Sequence, residues 1–413
     1  MKLSEELKSR GFVHQFTAEK LEDILDGPKR TVYLGVDPTA DSIHAGNFAL
    51  FMLLRHLVEG GHKVILVIGG GTGMIGDPKP DVERPLTPPE VVEERVKKLK
   101  VQAEGLMGGV EIEFVNNYDW LSKLNLIDFL RDIGKHFTVN ELIKKEAIAT
   151  RLGSQEGISY TEFAYPLLQG YDFLMLNRMY DCDLQVGGSD QWGNIVSGVD
   201  LIRRVEQKNV HALTVPLVVD KATGKKFGKS EGNAIWLDSE KTSPYQFYQF
   251  WFNCSDESVI DYLKLFTLLP LVEIKKVEAD FTSNPGSRSA QRLLAKEVTT
   301  LVHGGEEASS VEKVSGILFG EGQLSDLSEA EVIILKENAP TTAVAVGDNI
   351  LDVLVESGLA TSKREARTFV EGGAVILGGE KVTEGDYLLE ENLFALGLCL
   401  LRRGKRNYSV LTL

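Results

Sequence analysis

Residues 31–36, Thr-Val-Tyr-Leu-Gly-Val, form an apolar run that stops at Asp37-Pro38. Proline lacks an N–H and pushes its predecessor out of the helical region, so a strand ends here. Polar turn residues follow, and then an apolar run over 48–57 with helical spacing. The helix's unpaired N–H groups and the positive end of its dipole face the turn, and they favour an anion such as phosphate. Thr39 and His44 stand at this corner, and the small residues Ala45 and Gly46 let a ligand approach the backbone.

The alternation continues along the first half of the chain. The run 63–68 is β-branched, 88–107 has helical spacing with charges on one side, and 111–115, 184–186 and 211–219 are expected strands. Strands alternating with helices imply a parallel sheet covered on both faces, with ligands at the carboxyl ends of the strands. Two glycine-dense segments fall at those ends: Gly69-Gly70-Gly71-Thr72-Gly73 running on to Asp77, and Gly187-Gly188-Ser189-Asp190-Gln191-Trp192-Gly193. Residues 120–180 are mostly helical in pattern and are expected to form an insertion. The spacing i, i+4, i+7 puts Tyr165, Gln169 and Asp172 on one helix face. A tyrosine, an amide and an acid on one face suit a binding site better than a core. Trp192 is expected to pack rather than bind.

A loop with four lysines (Lys221, Lys225, Lys226 and Lys229) follows residue 219. Amphipathic helices then run from 243 to about 318, with aromatics gathered at 245–252. Residues 332–348, with Pro340, are expected to be a linker. The last segment has a helix stopped by Gly358 and a second helix opened by Ser362, followed by turn-rich strands. Arg364 and Arg367 share a helix face, and the clusters at 363–367 and 402–406 suit contacts to nucleic-acid phosphates. The expected domains are a Rossmann-like catalytic domain at 1–225, the lysine loop and a helical domain at 226–331, the linker at 332–348 and a small α+β domain at 349–413.

Composition removes several function classes. The net charge of −15 argues against non-specific coating of nucleic acid. It leaves room for local basic clusters, which act over a Debye length of about 8 Å. The three cysteines (Cys182, Cys254, Cys399) lie far apart without metal or redox spacing, as in a reducing cytoplasm. Acids in the first helix exclude a signal peptide, and no apolar run is long enough to span a bilayer. A cytoplasmic protein without a membrane partner is therefore expected. A Thr/His corner at a helix N-terminus with a lysine loop nearby is a device for triphosphate. Lys226 and Lys229 can meet the charge that spreads over departing pyrophosphate, at about 3–4 kcal/mol per preorganised donor. No general base is needed when the nucleophile is already a carboxylate.

These motifs together resemble the bacterial tyrosyl-tRNA synthetases. His44-Ala45-Gly46-Asn47, inside Asp37-Pro38-Thr39-Ala40-Asp41-Ser42, is similar to the first signature of class I synthetases (His-Ile-Gly-His). Lys226-Phe227-Gly228-Lys229-Ser230 resembles the second (Lys-Met-Ser-Lys-Ser). Residues 161–173 and 187–193 match the family's amino-acid pocket, and Ser362-Lys363-Arg364-Glu365-Ala366-Arg367 looks like an S4-type RNA-binding helix. The resemblance spans essentially the whole chain. It implies an α/β fold: a parallel-sheet catalytic domain with a helical insertion, then an all-helical domain and an S4-like domain.

The activity implied is ligation of tyrosine to its tRNA through tyrosyl-adenylate, with ATP and Mg²⁺ as substrate, no prosthetic group and no protein-held metal. Tyr33 and Asp172 would bond the phenol, and Asp77, Tyr165 and Gln169 would hold the α-ammonium. Gln191 would sit near the carboxylate, with Asp37 nearby on the ATP side. Gly35, Gly187 and Asp190 would face the ribose, with Asn47 donating to ribose or phosphate. Thr39, His44, Lys226 and Lys229 would bind the β- and γ-phosphates. Lys363, Arg364, Arg367, Arg402 and Arg403 would meet tRNA, and a homodimer is expected, one tRNA spanning both subunits. Asn47 replaces the second histidine of the general signature, and two further departures stand out. Leu34 replaces a frequent ribose-touching cysteine, and the loop 78–84 lacks the usual Gly-Lys pattern, which favours Arg84 over Lys79 at the phosphates. The alternatives are a tryptophanyl-type enzyme and an inactive RNA-binding relative.

Overall fold

The computed structural model describes residues 1–79, 82–153, 157–219, 221–222, 224, 227, 229–230, 233–404 and 407–413. The chain forms two compact units: residues 1–242 with 254–294, and residues 243–253 with 295–413. The helical stretch 226–331, expected to be one domain, is thus shared between them.

The first unit opens with helices α1 (Leu3–Arg10) and α2 (Leu21–Leu25), separated by β1 (Gln15–Phe16). Strand β2 (Thr31–Val36) leads to α3 (Ala45–Glu59), then β3 (Lys63–Ile68) and the short α4 (Thr72–Ile75). Helix α5 (Pro89–Met107) precedes β4 (Glu113–Asn116). Short helical turns lead to α6 (Glu146–Leu152) and α7 (Tyr160–Tyr180). Next come β5 (Cys182–Gly188), α8 (Trp192–Glu206) and β6 (His211–Val215). The sheet order is β1-β6-β5-β2-β3-β4, parallel throughout except for β1. β3 is buried from Val64 to Ile68, as a strand covered on both faces requires, which explains its unbroken apolar sequence. α3 begins at Ala45 rather than at 48 because His44 caps it, its Nδ1 accepting from the Gly46 N–H at 3.0 Å.

The second unit contains α9 (Pro244–Phe252), whose Ser243 cap and Gln246 form a capping box. In the first unit, α10 (Val259–Phe266) and α11 (Leu271–Ser283) follow, and Phe266 stacks on Phe48 of α3 with ring centroids 5.9 Å apart. That apolar contact keeps α10 with the sheet. Helix α12 (Ser289–His303) runs from one unit into the other, and α13 (Gly305–Leu318) and α14 (Glu329–Asn338) belong to the second.

The segment 332–348, expected to be a linker, is folded. Ser328 and Glu331 form the capping box that starts α14, and β7 (Thr341–Ala343) joins a sheet. Helices α15 (Ile350–Glu356) and α16 (Lys363–Glu371) pack on β8 (Val375–Leu377), β9 (Glu380–Val382), β10 (Leu398–Arg403) and β11 (Asn407–Thr412), in the order β9-β8-β10-β11-β7. Ile350, Leu354, Val370, Val375, Leu401 and Leu411 form that body's core. Among the described residues, no helix is long and apolar enough to cross a membrane.

Candidate active site

Strand β2 connects onward to β3 on one side, while its other neighbour, β5, connects to β6. The chain therefore leaves these adjacent strands in opposite directions, and a crevice opens beyond their carboxyl ends. A cavity of about 590 Å³ lies there, lined by residues of β2, its following turn, the start of α3, the Gly69 and Asp77 segments, α7 and the end of β5.

At one end stand Tyr33 and Asp172. Tyr33 is 1% exposed and its hydroxyl has no hydrogen-bond partner among the described residues. Its ring packs on Phe173, with centroids 5.1 Å apart. Asp172 accepts from Trp120 Nε1 at 2.7 Å and from Asn117 Nδ2 at 2.9 Å. Burial outweighs these donors and pushes its carboxyl up to about 7.

The network continues inward. Asn117 Nδ2 also donates to Thr72 Oγ1 at 2.8 Å, and Thr72 Oγ1 donates to Asp37 Oδ1 at 2.6 Å. Tyr165 Oη donates to Asp37 Oδ2 at 2.7 Å, which leaves the Tyr165 oxygen lone pairs as acceptors. Gly69 admits this arrangement because a Cβ there would lie 2.0 Å from Asp37 Oδ1. Asp77 accepts from Gln191 Nε2 and Asn194 Nδ2, both at 3.0 Å. Burial raises Asp37, and raises Asp77 to about 6, with the Asp37 charge adding to the latter. Gln169 Oε1 and Gln185 Oε1 are buried without partners among the described residues, and both residues line the cavity. Three carboxylates and two unpartnered acceptors facing one space favour a cation there, such as an ammonium.

The far end is the α3 corner. Nδ1 of His44 accepts a hydrogen bond, so its proton sits on Nε2, which makes that nitrogen a donor. The backbone of Phe227 crosses close to the helix start: a Cβ on Gly46 would meet the Phe227 carbonyl oxygen at 3.2 Å. Phe227 is buried against Tyr262 and Phe266. Phe227 is thereby held at the helix N-terminus.

Of the residues singled out in the sequence, Tyr33, Gly35, Asp37, Thr39, His44, Asn47, Asp77, Tyr165, Gln169, Asp172, Gly187, Asp190 and Gln191 all line this one cavity. Tyr165 and Gln191 bond Asp37 and Asp77 respectively, so they act on neighbouring carboxylates as well. Lys226 lies outside the described residues, and for Lys229 only the backbone, paired with Ala234, is described. Arg84 and Lys79 both reach the cavity. In the second unit, Lys363 pairs with Asp352, Arg403 lies over the Phe369 ring at 4.7 Å, and Arg364 and Arg367 are exposed. Arg402 packs against Gly320, where a Cβ would come within 2.1 Å of its Nη1. Its guanidinium therefore supports the end of α13.

Sequence reasoning missed Asn117, Trp120, Thr72, Asn194 and Gln185. Asn117 follows the carboxyl end of β4, so the sheet-edge rule carried a signal for it. Trp120 and Asn194 sit in helical turns with no periodicity that marks them.

Residues 26–320 match the family model described as tRNA synthetases class I (W and Y). Residues 331–411 match the tyrosine–tRNA ligase SYY-like C-terminal domain. The chain is 47% identical over 421 residues to the tyrosine–tRNA ligase of Streptococcus mutans, covering 100% of both chains. The same identity and coverage hold for the tyrosine–tRNA ligase of Streptococcus uberis. Among solved structures, a C-terminally truncated mitochondrial tyrosyl-tRNA synthetase from Aspergillus nidulans superposes with a TM-score of 0.70 at 30% identity, covering 77% of this chain and 94% of that one.

Proposed function

The chain belongs to the tyrosine–tRNA ligase family of class I tRNA synthetases, and from that premise we propose a division of labour among its residues. The reaction joins tyrosine to tRNA with ATP as substrate. The tyrosine carboxylate attacks the α-phosphorus, pyrophosphate leaves, and a hydroxyl of the tRNA's 3′-terminal ribose then takes the tyrosyl group from the adenylate, releasing AMP.

One observation carries the assignment of roles: the Tyr33 hydroxyl, buried without a partner among the described residues, shares its end of the cavity with Asp172. A phenol is both donor and acceptor. Its O–H donates to Asp172 while its oxygen accepts from Tyr33. Phenylalanine leaves both groups unpaired, and tyrosine-specific synthetases are themselves the known instance of rejection on this ground. Asn117 and Trp120 hold the Asp172 carboxylate in place. At the other end of the amino acid, Asp77, Gln169 Oε1 and the Tyr165 lone pairs accept from the ammonium. The tyrosine carboxylate then lies toward Gln191 and the α3 corner. Thr39, His44, Lys226 and Lys229 stabilise the departing pyrophosphate, Mg²⁺ arriving as part of the nucleotide substrate. Gly35, Gly187, Asp190 and Asn47 serve the ribose side, with Asp37 between the two substrates.

Arg364 and Arg367, exposed on α16, contact tRNA phosphates. A homodimer is supported by the apolar side chains that the insertion exposes: Leu126, Ile127, Leu130, Val139 and Ile143. ATP–pyrophosphate exchange driven by tyrosine tests the assignment. Exchange with tyrosine and not with tryptophan or phenylalanine is expected. Exchange with tryptophan alone would make the protein a tryptophanyl-type enzyme, and no exchange with any amino acid would make it an inactive RNA-binding relative.

A further inference from the structure

Arg151 of α6 and Glu162 in the first turn of α7 form an ion pair with Nη1–Oε2 at 3.1 Å, each side chain only 2% exposed. Neither residue lines the cavity. Two charges taken out of water lose more hydration than their attraction returns unless further hydrogen bonds satisfy them. Here two of those bonds go to the loop between Asp77 and Arg84, and a third goes to Gly157. Glu162 Oε1 accepts from the backbone N–H of Arg84 at 2.9 Å. Arg151 Nη1 donates to the Lys79 carbonyl at 3.3 Å, and its Nε donates to the Gly157 carbonyl at 3.0 Å. Ser159 caps α7 by accepting from the Glu162 N–H at 3.3 Å, which fixes the acid at the start of the helix.

The pair therefore grips the segment between Asp77 and Arg84 at two points. Within that segment the side chains of Val82 and Glu83 are exposed. Yet both its cations reach the cavity, and Arg84 Nε donates to the Asp77 carbonyl at 2.9 Å. The helix carrying Glu162 also carries Tyr165, Gln169 and Asp172. One buried ion pair thus ties the loop cations to the helix that holds the amino-acid site.

We propose that Arg151 and Glu162 are a positioning pair for adenylate formation: touching neither substrate, they set where Arg84 and Lys79 stand relative to the bound amino acid. This rests on the proposed activation of tyrosine by ATP and on the expectation from the sequence that a cation of the 78–84 loop stands at the phosphates. A misplacement of about 1 Å in a charged group at a reacting centre costs on the order of a hundredfold in rate. Tyrosine binding, held by other residues, is left intact.

The test compares Arg151→Met/Glu162→Leu, which removes both charges together, with Glu162→Gln, which keeps an acceptor for the Arg84 N–H, and with Arg84→Ala. Thermal melting establishes folding, equilibrium dialysis gives the tyrosine Kd, and single-turnover assays give the rate of adenylate formation and its ATP dependence. Arg151→Met/Glu162→Leu is expected to form adenylate at least tenfold more slowly with a tyrosine Kd within about twofold of wild type. Glu162→Gln is expected to restore most of the rate. A wild-type rate in the double variant, or a tyrosine Kd that weakens in step with the rate, would overturn the proposal. If Arg84→Ala alone has no effect, the phosphate assignment fails instead. Amide exchange in the unaltered protein gives an answer that needs no variant. The Arg84 N–H is expected to exchange at least tenfold more slowly than that of Glu83, and equal rates would overturn the proposal.

Discussion

Replacing Asp172 with Asn is expected to stabilise the free protein while impairing its use of tyrosine. Asp172 is 4% exposed, and burial raises its carboxyl from 3.8 to about 7. At about 1.4 kcal/mol per pH unit, that rise means the ionised group costs the folded chain up to about 4 kcal/mol at pH 8. Because the folded value lies above the unfolded one, the compensating stability is fully present below about pH 3.9 and is lost as pH rises through about 7. An amide escapes the charge penalty at every pH. Its NH₂ cannot accept, however, so either Asn117 or Trp120 loses its partner, at about 1–3 kcal/mol. Asp172→Asn is therefore expected to exceed the wild type by about 1–3 kcal/mol at pH 8, with the gain gone or reversed by pH 5. Urea denaturation at the two pH values measures this. In parallel, losing the charged acceptor for the phenol is expected to raise the tyrosine Kd about 100-fold, with ATP binding unchanged. A variant destabilised equally at pH 8 and pH 5 would refute the burial argument. One that keeps wild-type tyrosine affinity would refute the phenol contact.

Three other outcomes are expected. Tyr33→Phe removes one of the two groups that phenylalanine leaves unpaired, so the ratio of kcat/KM for tyrosine over phenylalanine falls about 10- to 100-fold in pyrophosphate exchange. Burial holds Asp77 near 6, so its charge for the ammonium is lost below that pH. The tyrosine KM therefore climbs up to about tenfold between pH 6 and pH 5, and much of that dependence disappears in Asp77→Asn. Charge reversal at Arg364 and Arg367 weakens tRNA binding and lowers the slope of log affinity against log salt by about 2, while pyrophosphate exchange is untouched.

The parts of the fold legible in the sequence are those set by neighbours along the chain. Pro38 ends β2, the unbroken apolar run of β3 marks a strand covered on both faces, and Ser362 opens α16. The face shared by Tyr165, Gln169 and Asp172 was legible for the same reason, since helical spacing is local. What holds those residues was not. Asn117 and Trp120 reach Asp172 across 55 and 52 residues of chain. Glu162 and Arg151 are charged residues whose burial depends on a loop contributed from elsewhere. The turn-like Pro340-Thr341-Thr342 concealed β7, because a three-residue edge strand pairing with β11 is too short to show a period of its own. Arg402 was grouped with the RNA-facing cations by its neighbours in sequence, but Gly320 leaves room for its guanidinium to pack within the second unit.

The most direct test of the phenol-reading pair is a crystal structure of the protein with L-tyrosine bound. The result expected is a phenol oxygen within about 3 Å of both Tyr33 Oη and an Asp172 carboxylate oxygen, with the ammonium within about 3 Å of Asp77 and of Gln169 Oε1. The contradicting result is a tyrosine whose phenol points toward the α3 corner or the solvent while the Tyr33 hydroxyl remains without a partner.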